Sequence, residues 1–172
     1  MKRLLGLAAV AALAVGYSTG AQADGISFSA GDTGQSTQVY RLGYAIDWDK
    51  SWWQTSMGRL TGYWDAGYTY WDGDKRSSVS TLSFAPVFRY EFGSGSIKPF
   101  IDLGIGVSVF SRSKVEDRDL GSAFNFEDRI GLGVQFGGGH ELSVRAIHYS
   151  NAGIKEPNDG IEAYSLNYKM PL

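Results

Sequence analysis

The sequence predicts an all-β fold, an eight-stranded antiparallel β-barrel that spans the outer membrane. Three features lead to this prediction: an export signal at the amino terminus, period-two alternation of apolar residues along most of the chain, and no long apolar segment after the export signal. Alternation of this kind indicates strands with one apolar face. A spanning helix needs about 18 or more consecutive apolar residues, so the membrane is expected to be crossed by strands.

The first 23 residues have the layout of a secretory signal peptide. After two basic residues, Leu4 to Gly16 form an apolar stretch, and Ala21-Gln22-Ala23 provides small residues for cleavage. We therefore expect residues 1–23 to be removed and residues 24–172 to form a single β-barrel domain. The chain contains no cysteine, so no disulfide framework is expected in the exported protein.

Composition narrows the class of partner. The formal net charge is −2 and the chain has no run of Lys or Arg, which argues against a nucleic acid. Aromatic residues make up 14% of the chain and 23 residues are Gly. Such a composition is typical of transmembrane barrels, in which alternation dilutes the apolar signal of each strand.

Eight segments show the alternation. They are Ile26–Ala30, Tyr40–Trp48, Leu60–Tyr70, Leu82–Phe92, Ile101–Val109, Ile130–Phe136, Leu142–Ala146 and Tyr164–Leu172. A soluble sandwich also alternates, but its second face should be charged and soluble. Here the second face is rich in Gly and Ala and carries ten charges, five of each sign: Arg41, Asp47, Asp65, Arg89, Glu91, Asp102, Glu127, Arg129, Arg145 and Lys169. Small residues and compensating charges suit the narrow interior of an eight-stranded barrel.

The connections and the aromatic residues predict an orientation. Short turns follow the fourth and sixth segments, whereas most of the other connections are longer and polar, as expected for periplasmic turns and extracellular loops. Trp48, Trp71 and Tyr164 are predicted to lie in interfacial girdles. The link over residues 50–59 is the exception among the turns, and we expect a short interfacial helix at Trp52-Trp53.

Four polar residues occupy lipid-facing positions at the extracellular end of the last three strands. In register with the apolar residues of the seventh segment come His148 and Ser150, Glu162 precedes Tyr164, and Asp128 precedes Ile130. Ionisable side chains on a lipid-contacting surface are costly and are functional candidates by default. This face is therefore the predicted functional surface.

Three of these residues can form a catalytic group. Residues two apart on a strand point the same way about 6.6–6.8 Å apart, so His148 can reach Ser150, and a hairpin places Glu162 opposite them. Ser, His and a carboxylate make a nucleophile, its base and the group that orients the base. Asn151, Asn158 and the backbone around Gly153 are candidates for an oxyanion hole.

Each residue also has a plain structural interpretation. A single His at a barrel rim is more often interfacial, Glu162 could end its strand at the water line, Asp128 could pair with a loop cation, and Phe126 could belong to the aromatic girdle. The shared face, depth and adjacency of His148, Ser150 and Glu162 favour catalysis, but geometry alone leaves both interpretations open.

At these residues the sequence resembles the outer-membrane lipid A 3-O-deacylases of the PagL type. The resemblance is carried by His148-Tyr149-Ser150-Asn151-Ala152-Gly153-Ile154, by Asn158-Asp159-Gly160-Ile161-Glu162 and by Phe124-Asn125-Phe126-Glu127-Asp128. It implies hydrolysis of the ester-linked acyl chain at the 3 position of lipid A in the outer leaflet of the outer membrane.

The resemblance also implies roles for individual residues. Ser150 would be the nucleophile, His148 the general base and Glu162 its partner. Asn158 and the loop from Asn151 to Gly153 would supply the oxyanion hole, and Asp128 and Phe126 would support the site. No metal or organic cofactor is expected, since the two histidines are poorly placed for a metal.

Two alternatives stay open at this point. Another lipid-facing hydrolase or acyltransferase, such as a phospholipase, could use the same three residues. A barrel without enzymatic activity could instead stabilise the membrane or bind a ligand. The exposed wall also leaves room for a homodimer, although no residue argues for one.

Overall fold

The structure, a computed structural model, describes residues 24–172, so the predicted signal peptide lies outside the described residues. This part of the chain forms ten strands: β1 (Gly25–Thr33), β2 (Gln38–Asp47), β3 (Gly58–Asp72), β4 (Val79–Phe92), β5 (Lys98–Phe110), β6 (Lys114–Val115), β7 (Arg118–Asp119), β8 (Phe124–Phe136), β9 (His140–Ser150) and β10 (Ile161–Pro171). Eight of them close into an antiparallel barrel in the order β1-β10-β9-β8-β5-β4-β3-β2. The predicted fold is therefore confirmed, and most strands are longer than the sequence pattern outlined. Within the same residues, no helical segment has the length and apolarity that a membrane span requires.

The two ends of the barrel differ in their connections. Residues 34–37, 73–78, 111–123 and 151–160 connect the strands at one end, which we call the loop end. Residues 48–57, 93–97 and 137–139 connect them at the other, the turn end. The small β6–β7 hairpin, which the sequence pattern did not reveal, belongs to the connection between β5 and β8 at the loop end.

The register determines how the strands slope. A sideways path from Ile161 on β10 passes through Tyr149 and Glu127, continues around the barrel, and returns to β10 at Pro171, ten residues nearer the carboxyl end. Since β10 begins at the loop end, a path from β10 through β9, β8, β5 and β4 moves towards the turn end. A stagger of this kind accompanies a strand tilt of about 35–45°.

The predicted alternation of outward and inward side chains is present in the barrel wall. The outward face is aliphatic and aromatic, with Leu42, Leu82, Ile105 and Val144 among its exposed residues. The predicted interior charges point inward, and the interior also holds Glu141, which the alternation pattern had not revealed. Burying so many charges is tolerable only because nearly all of them are paired; Arg145 instead donates to Tyr63 Oη at 3.4 Å.

Two groups of ion pairs lie along the lumen. Arg41 and Arg129 share Asp65 at 2.9 and 3.0 Å, and Arg129 also contacts Glu127. Nearer the turn end, Arg89 binds Asp102 at 2.8 Å and Glu141 at 2.5 Å. These ion pairs thus connect strands to one another across the lumen.

At the loop end the lumen is filled by apolar side chains instead of charges. The ring centroid of Trp71 lies 5.6 Å from that of Phe110 and 5.5 Å from that of Tyr149. The connection that contains the β6–β7 hairpin adds the buried side chains of Val115 and Leu120. The predicted girdle position of Trp71 is wrong, because this side chain is fully buried inside the barrel and its Nε1 donates to Thr81 Oγ1 at 2.8 Å. The inward faces of β9 and β10 are therefore firmly packed at the loop end.

The predicted interfacial helix at Trp52-Trp53 is also wrong. The link from β2 to β3 has no helix, and Trp52 pairs with Leu60 in an isolated antiparallel bridge. Trp48 behaves as predicted for a girdle residue, because it packs on the outer wall near the turn end, 5.1 Å from Phe88.

Candidate active site on the outer wall

An imidazole and a carboxylate meet on the outward face of β9 and β10. His148 is paired in register with Glu162, and His148 Nδ1 lies 2.9 Å from Glu162 Oε1. Both side chains are partly exposed, at 42% and 38%. The hairpin places them together because residues directly opposite on antiparallel strands project to the same side.

This contact selects the tautomer of the histidine. An ionised carboxylate only accepts hydrogen bonds. His148 Nδ1 therefore carries a proton and donates a hydrogen bond to Glu162. In the neutral ring Nε2 is then unprotonated and can accept a proton. The pair has the form of a general base held by an orienting carboxylate.

Ser150 ends β9 on the same face as His148, two residues further towards the loop end, and is paired in register with Phe126 of β8. Across residues 24–172, its hydroxyl has no hydrogen-bond partner. The structure therefore unites His148 and Glu162 and leaves Ser150 beside them as an unengaged hydroxyl. Contacts of this kind are often loose before substrate binds.

Gly160 supports the imidazole, a role that the sequence pattern did not indicate. If the register is continued by one residue, Gly160 stands opposite Ser150. A Cβ atom on Gly160 would lie 2.8 Å from His148 Cε1 and 3.5 Å from His148 Nε2. The ring thus leans against this glycine, with its Nε2 edge towards the end of β9 that carries Ser150.

A second carboxylate flanks the imidazole. Asp128 on β8 is paired in register with His148, on the side opposite to Glu162. Within the described chain its carboxylate makes no hydrogen bond or ion pair. Phe126, one position further along the same face, contacts Phe124 edge to face at 5.3 Å and forms the β8 wall beside Ser150.

The loop after Ser150 begins with a tight turn. Ala152 and Gly153 both have left-handed backbones, with φ of 54° and 78°, and Ile154 N donates to Asn151 O at 3.1 Å. Two successive positive φ values with this hydrogen bond define a type I′ turn. A non-glycine residue is strained in this conformation, so Ala152 marks a stretch of backbone that its surroundings hold in place.

Two asparagines hold this loop, in different ways. Asn151 is fully buried, and its Nδ2 donates to Leu120 O at 2.7 Å and to Lys155 O at 2.6 Å. Its side chain is therefore committed to the loop and is not free to bind an oxyanion. Asn158 is half-buried and accepts from Asn151 N at 3.0 Å through Oδ1, an arrangement that leaves its Nδ2 group as a donor.

The β6–β7 connection braces the same loop from outside. Asp119 N donates to Asp159 Oδ2 at 2.8 Å, and Asp159 N donates to Asp119 O at 3.1 Å. Hydrogen bonds from Lys114 and from the backbone of Gly121 lower the pKa of Asp119. This brace links the loop that carries Asn158 to the apolar cluster in the lumen.

Directly below the polar group, on the side of the turn end, the outer wall carries a groove of about 660 Å³. Asp128, His148 and Glu162 line one edge, and the remaining outward lining is apolar apart from the Tyr164 hydroxyl and reaches as far as Phe88 on β4. The second histidine is remote from this groove: His140 begins β9 at the turn end and lies 2.8 Å from Tyr168 Oη. No group of three or more His, Asp or Glu side chains in the described chain is placed to hold a metal ion.

Comparison with known proteins gives a consistent result. A family model described as "Lipid A 3-O-deacylase (PagL)" matches residues 38–171. The protein named "Lipid A deacylase PagL" from Pseudomonas aeruginosa is 62% identical over 173 residues, which cover the whole of both chains. The protein of the same name from Bordetella bronchiseptica is 40% identical over 116 residues, covering 66% of this chain and 64% of its own.

A solved structure is similar as well. The structure titled "Crystal structure of the outer membrane enzyme PagL" superimposes with a TM-score of 0.84 at 64% sequence identity. The match covers 86% of this chain and 99% of the other.

Proposed function

The chain belongs to the lipid A 3-O-deacylase (PagL) family, and we propose that it removes the acyl chain at the 3 position of lipid A by a Ser150-His148-Glu162 mechanism. The protein is an outer-membrane β-barrel. The 3 position rests on the description of the family. The observation that carries the mechanism is the 2.9 Å contact between His148 and Glu162 on the outward face, beside the unengaged hydroxyl of Ser150.

The reaction would proceed in two steps. Ser150 Oγ attacks the acyl carbonyl carbon while its proton passes to His148 Nε2, and the bond from the carbonyl carbon to the sugar oxygen then breaks as that oxygen takes the proton. An acyl-serine and the deacylated lipid result. Water next attacks the acyl-serine, gives a proton to His148, and releases the fatty acid as Ser150 regains its proton.

The other residues have supporting roles in this scheme. Glu162 keeps the histidine in the reactive tautomer and stabilises the imidazolium that forms. Asp128, on the other side of the ring, adds negative charge next to that imidazolium. Nδ2 of Asn158 and the backbone N–H groups near Gly153 are the donors we assign to the oxyanion, and Phe126 walls the site beside Ser150.

The location suits a lipid substrate. Serine, imidazole and carboxylate lie on the outward wall at the loop end, which we assign to the extracellular side, so a glycolipid in the outer leaflet reaches them by lateral diffusion. No passage through the lumen is needed, and the lumen is filled at this end by Trp71, Phe110 and Tyr149.

The test compares cells that express the wild type or Ser150→Ala. Mass spectrometry of lipid A should show loss of one hydroxyacyl chain with the wild type and none with the variant, while both barrels keep heat-modifiable mobility in gels. Ser80→Ala is the matched control, since Ser80 is an outward serine near the loop end of β4 that bonds Tyr68 Oη at 2.8 Å.

Three results would contradict the proposal. Unchanged lipid A with newly formed lysophospholipid would identify a phospholipase. Equal lipid compositions for wild type and Ser150→Ala would indicate either a barrel without activity or chemistry that does not use this serine. Loss of activity in Ser80→Ala as well would mean that the assay reports barrel integrity and not the nucleophile.

A further inference from the structure

Asn158, the side chain assigned to the oxyanion, lies in a loop that has little packing of its own. Residues 152–157, which precede it, are all exposed. Within residues 24–172 its side chain makes one hydrogen bond, in which Oδ1 accepts from Asn151 N at 3.0 Å. An oxyanion donor is effective only when it is held about 2.7–3.1 Å from the developing charge. The position of Asn158 must therefore be fixed largely by residues outside its own loop.

The residue after Asn158 is bound to the β6–β7 hairpin by its side chain and by its backbone. Asp119 N donates to Asp159 Oδ2 at 2.8 Å, and Asp159 N donates to Asp119 O at 3.1 Å. Arg118 Nη1 also donates to Asp159 O, at 3.5 Å. A hydrogen bond from a backbone N–H to a carboxylate is stronger than one between neutral groups. Asp159 thus forms a bridge between the active-site loop and strand β7.

The residue before Asn158 lies against the same connection. Gly121, two residues after Asp119, has φ +70°, and a Cβ atom there would lie 2.1 Å from Pro157 O. Only glycine allows two backbone segments to approach so closely in this conformation. The connection between β5 and β8 therefore contacts the chain on both sides of Asn158.

This connection is itself anchored in the barrel. The side chains of Val115 and Leu120 are buried in the apolar cluster that fills the loop end of the lumen. Asp119 lies between them and the loop, and its Oδ2 contacts Lys114 Nζ at 2.8 Å. Buried apolar side chains hold a segment more firmly than an exposed ion pair does. Contacts thus continue from the packed lumen through Asp119 and Asp159 to the backbone of Asn158.

We propose that Asp159 is a positioning residue, whose bridge to Asp119 holds Asn158 Nδ2 at the oxyanion. This inference rests on the proposed function, in which Asn158 supplies an oxyanion donor. The bond from Asp119 N depends on the side chain of Asp159, whereas the bonds made by its backbone do not. Removal of the carboxylate should therefore loosen Asn158 without releasing the loop.

The test measures kcat and KM for a synthetic 3-O-myristoyl glucosamine ester in detergent micelles. Asp159→Ala should lower kcat about tenfold and leave KM within about twofold, because an oxyanion donor acts on the transition state. Asp159→Asn should keep kcat within about twofold of wild type, since an amide oxygen can accept the same hydrogen bond. Asn158→Ala should lower kcat about 100-fold, the effect of losing one oxyanion donor.

A double variant tests whether Asp159 acts through Asn158. In the Asn158→Ala background, Asp159→Ala should cost less than about twofold, because the group that it positions is already absent. Glu116→Ala is the matched control. The Glu116 carboxylate, in the turn of the same hairpin, accepts from Asp74 N at 2.6 Å and Lys75 N at 3.2 Å. Those residues belong to a loop without any candidate site residue, so kcat should stay within about twofold of wild type.

Four results would overturn the inference: wild-type kcat in Asp159→Ala, an equal loss in Asp159→Asn, a full tenfold loss in the Asn158→Ala background, or the same loss in Glu116→Ala. The last two would show that any loosening of the hairpin lowers the rate. If Ser150→Ala and Asn158→Ala are impaired and one of these results is found, only the role of Asp159 fails. An active Ser150→Ala would contradict the proposed function, and an unimpaired Asn158→Ala would contradict the oxyanion assignment.

Discussion

The contact between Gly160 and His148 leads to a prediction that separates positioning of the base from stability of the barrel. In Gly160→Ala the new methyl carbon would lie 2.8 Å from His148 Cε1, whereas carbon atoms in contact prefer about 3.5–4.0 Å. The ring must therefore move by roughly 1 Å. A displacement of this size at a reacting group can lower the rate about 100-fold. We expect kcat to fall by that factor with KM little changed, since the groove is not altered.

The substitution also strains the backbone, and that effect needs its own control. Gly160 has φ +64°, and a side chain in this left-handed conformation costs about 1–2 kcal/mol. Gly93, in the turn after β4, has φ +68°, and a methyl carbon added there would have no atom within 4 Å. Gly93→Ala therefore carries the same backbone penalty without any contact to the site.

The assay measures ester hydrolysis and thermal unfolding of both variants in the same detergent. Unfolding midpoints should fall by similar amounts, while only Gly160→Ala should lose kcat. Equal activities for the two variants would refute the idea that Gly160 holds the imidazole. A rise in KM with unchanged kcat would refute it as well, because that pattern indicates altered substrate binding.

Three further predictions follow from the same structure. Glu162→Gln should lower kcat about 100-fold or more without unfolding the barrel, because the amide no longer enforces the reactive tautomer; activity within threefold of wild type would contradict this role. Asn151→Ala leaves Lys155 O without its donor at about 1–3 kcal/mol, while Leu120 O keeps its bond from Ser122 N, so faster amide exchange in residues 151–160 and lower kcat are expected; unchanged exchange would show that Asn151 does not hold the loop. Arg89→Met leaves the buried Asp102 without an ion pair and leaves Glu141 only the longer contact with Lys169 at 3.5 Å, so the free energy of unfolding should fall by about 3–5 kcal/mol; an unchanged urea midpoint would show that the lumen tolerates the loss of this cation.

The wall of the barrel could be predicted from the sequence because side chains on a strand alternate. A slip of one residue would turn every side chain to the other face, so the apolar residues of the last three strands determine where His148, Ser150 and Glu162 point. The same parity placed the charges such as Arg89 and Asp102 in the lumen. The alternation of apolar residues is thus sufficient to predict the face on which each of these side chains lies, and the structure places them on the predicted faces.

Trp71 shows where the pattern was insufficient. Hydropathy does not distinguish an apolar side chain facing lipid from one filling the lumen, and at the loop end the lumen too is filled by apolar side chains. The parity of β3 did contain a signal, since Trp71 lies an even number of residues from the inward Asp65. The prediction gave more weight to the aromatic character of Trp71 than to its position in the alternation. In the structure the ring nitrogen of Trp71 donates to Thr81 inside the barrel.

Contacts that depend on backbone conformation could not be predicted from spacing. The β6–β7 hairpin has strands of two residues, too short for any periodicity. The approach of His148 to Gly160 depends on a left-handed backbone and on one side-chain rotamer. The separation of roles between Asn151 and Asn158 likewise depends on which carbonyls each amide can reach. Sequence could propose these residues as a group but could not assign their individual contacts.

The packing of the lumen and the chemistry of the outer wall are coupled because the wall is one strand thick. On β9, His148 lies between Ile147 and Tyr149, whose side chains are buried in the lumen, and Tyr149 contacts Trp71 and Phe110 at 5.5 and 5.3 Å. Any rotation of this strand that moved the imidazole would also move these packed rings. A rigid lumen therefore gives a lipid-exposed site the fixed geometry that a soluble enzyme obtains from an enclosed pocket.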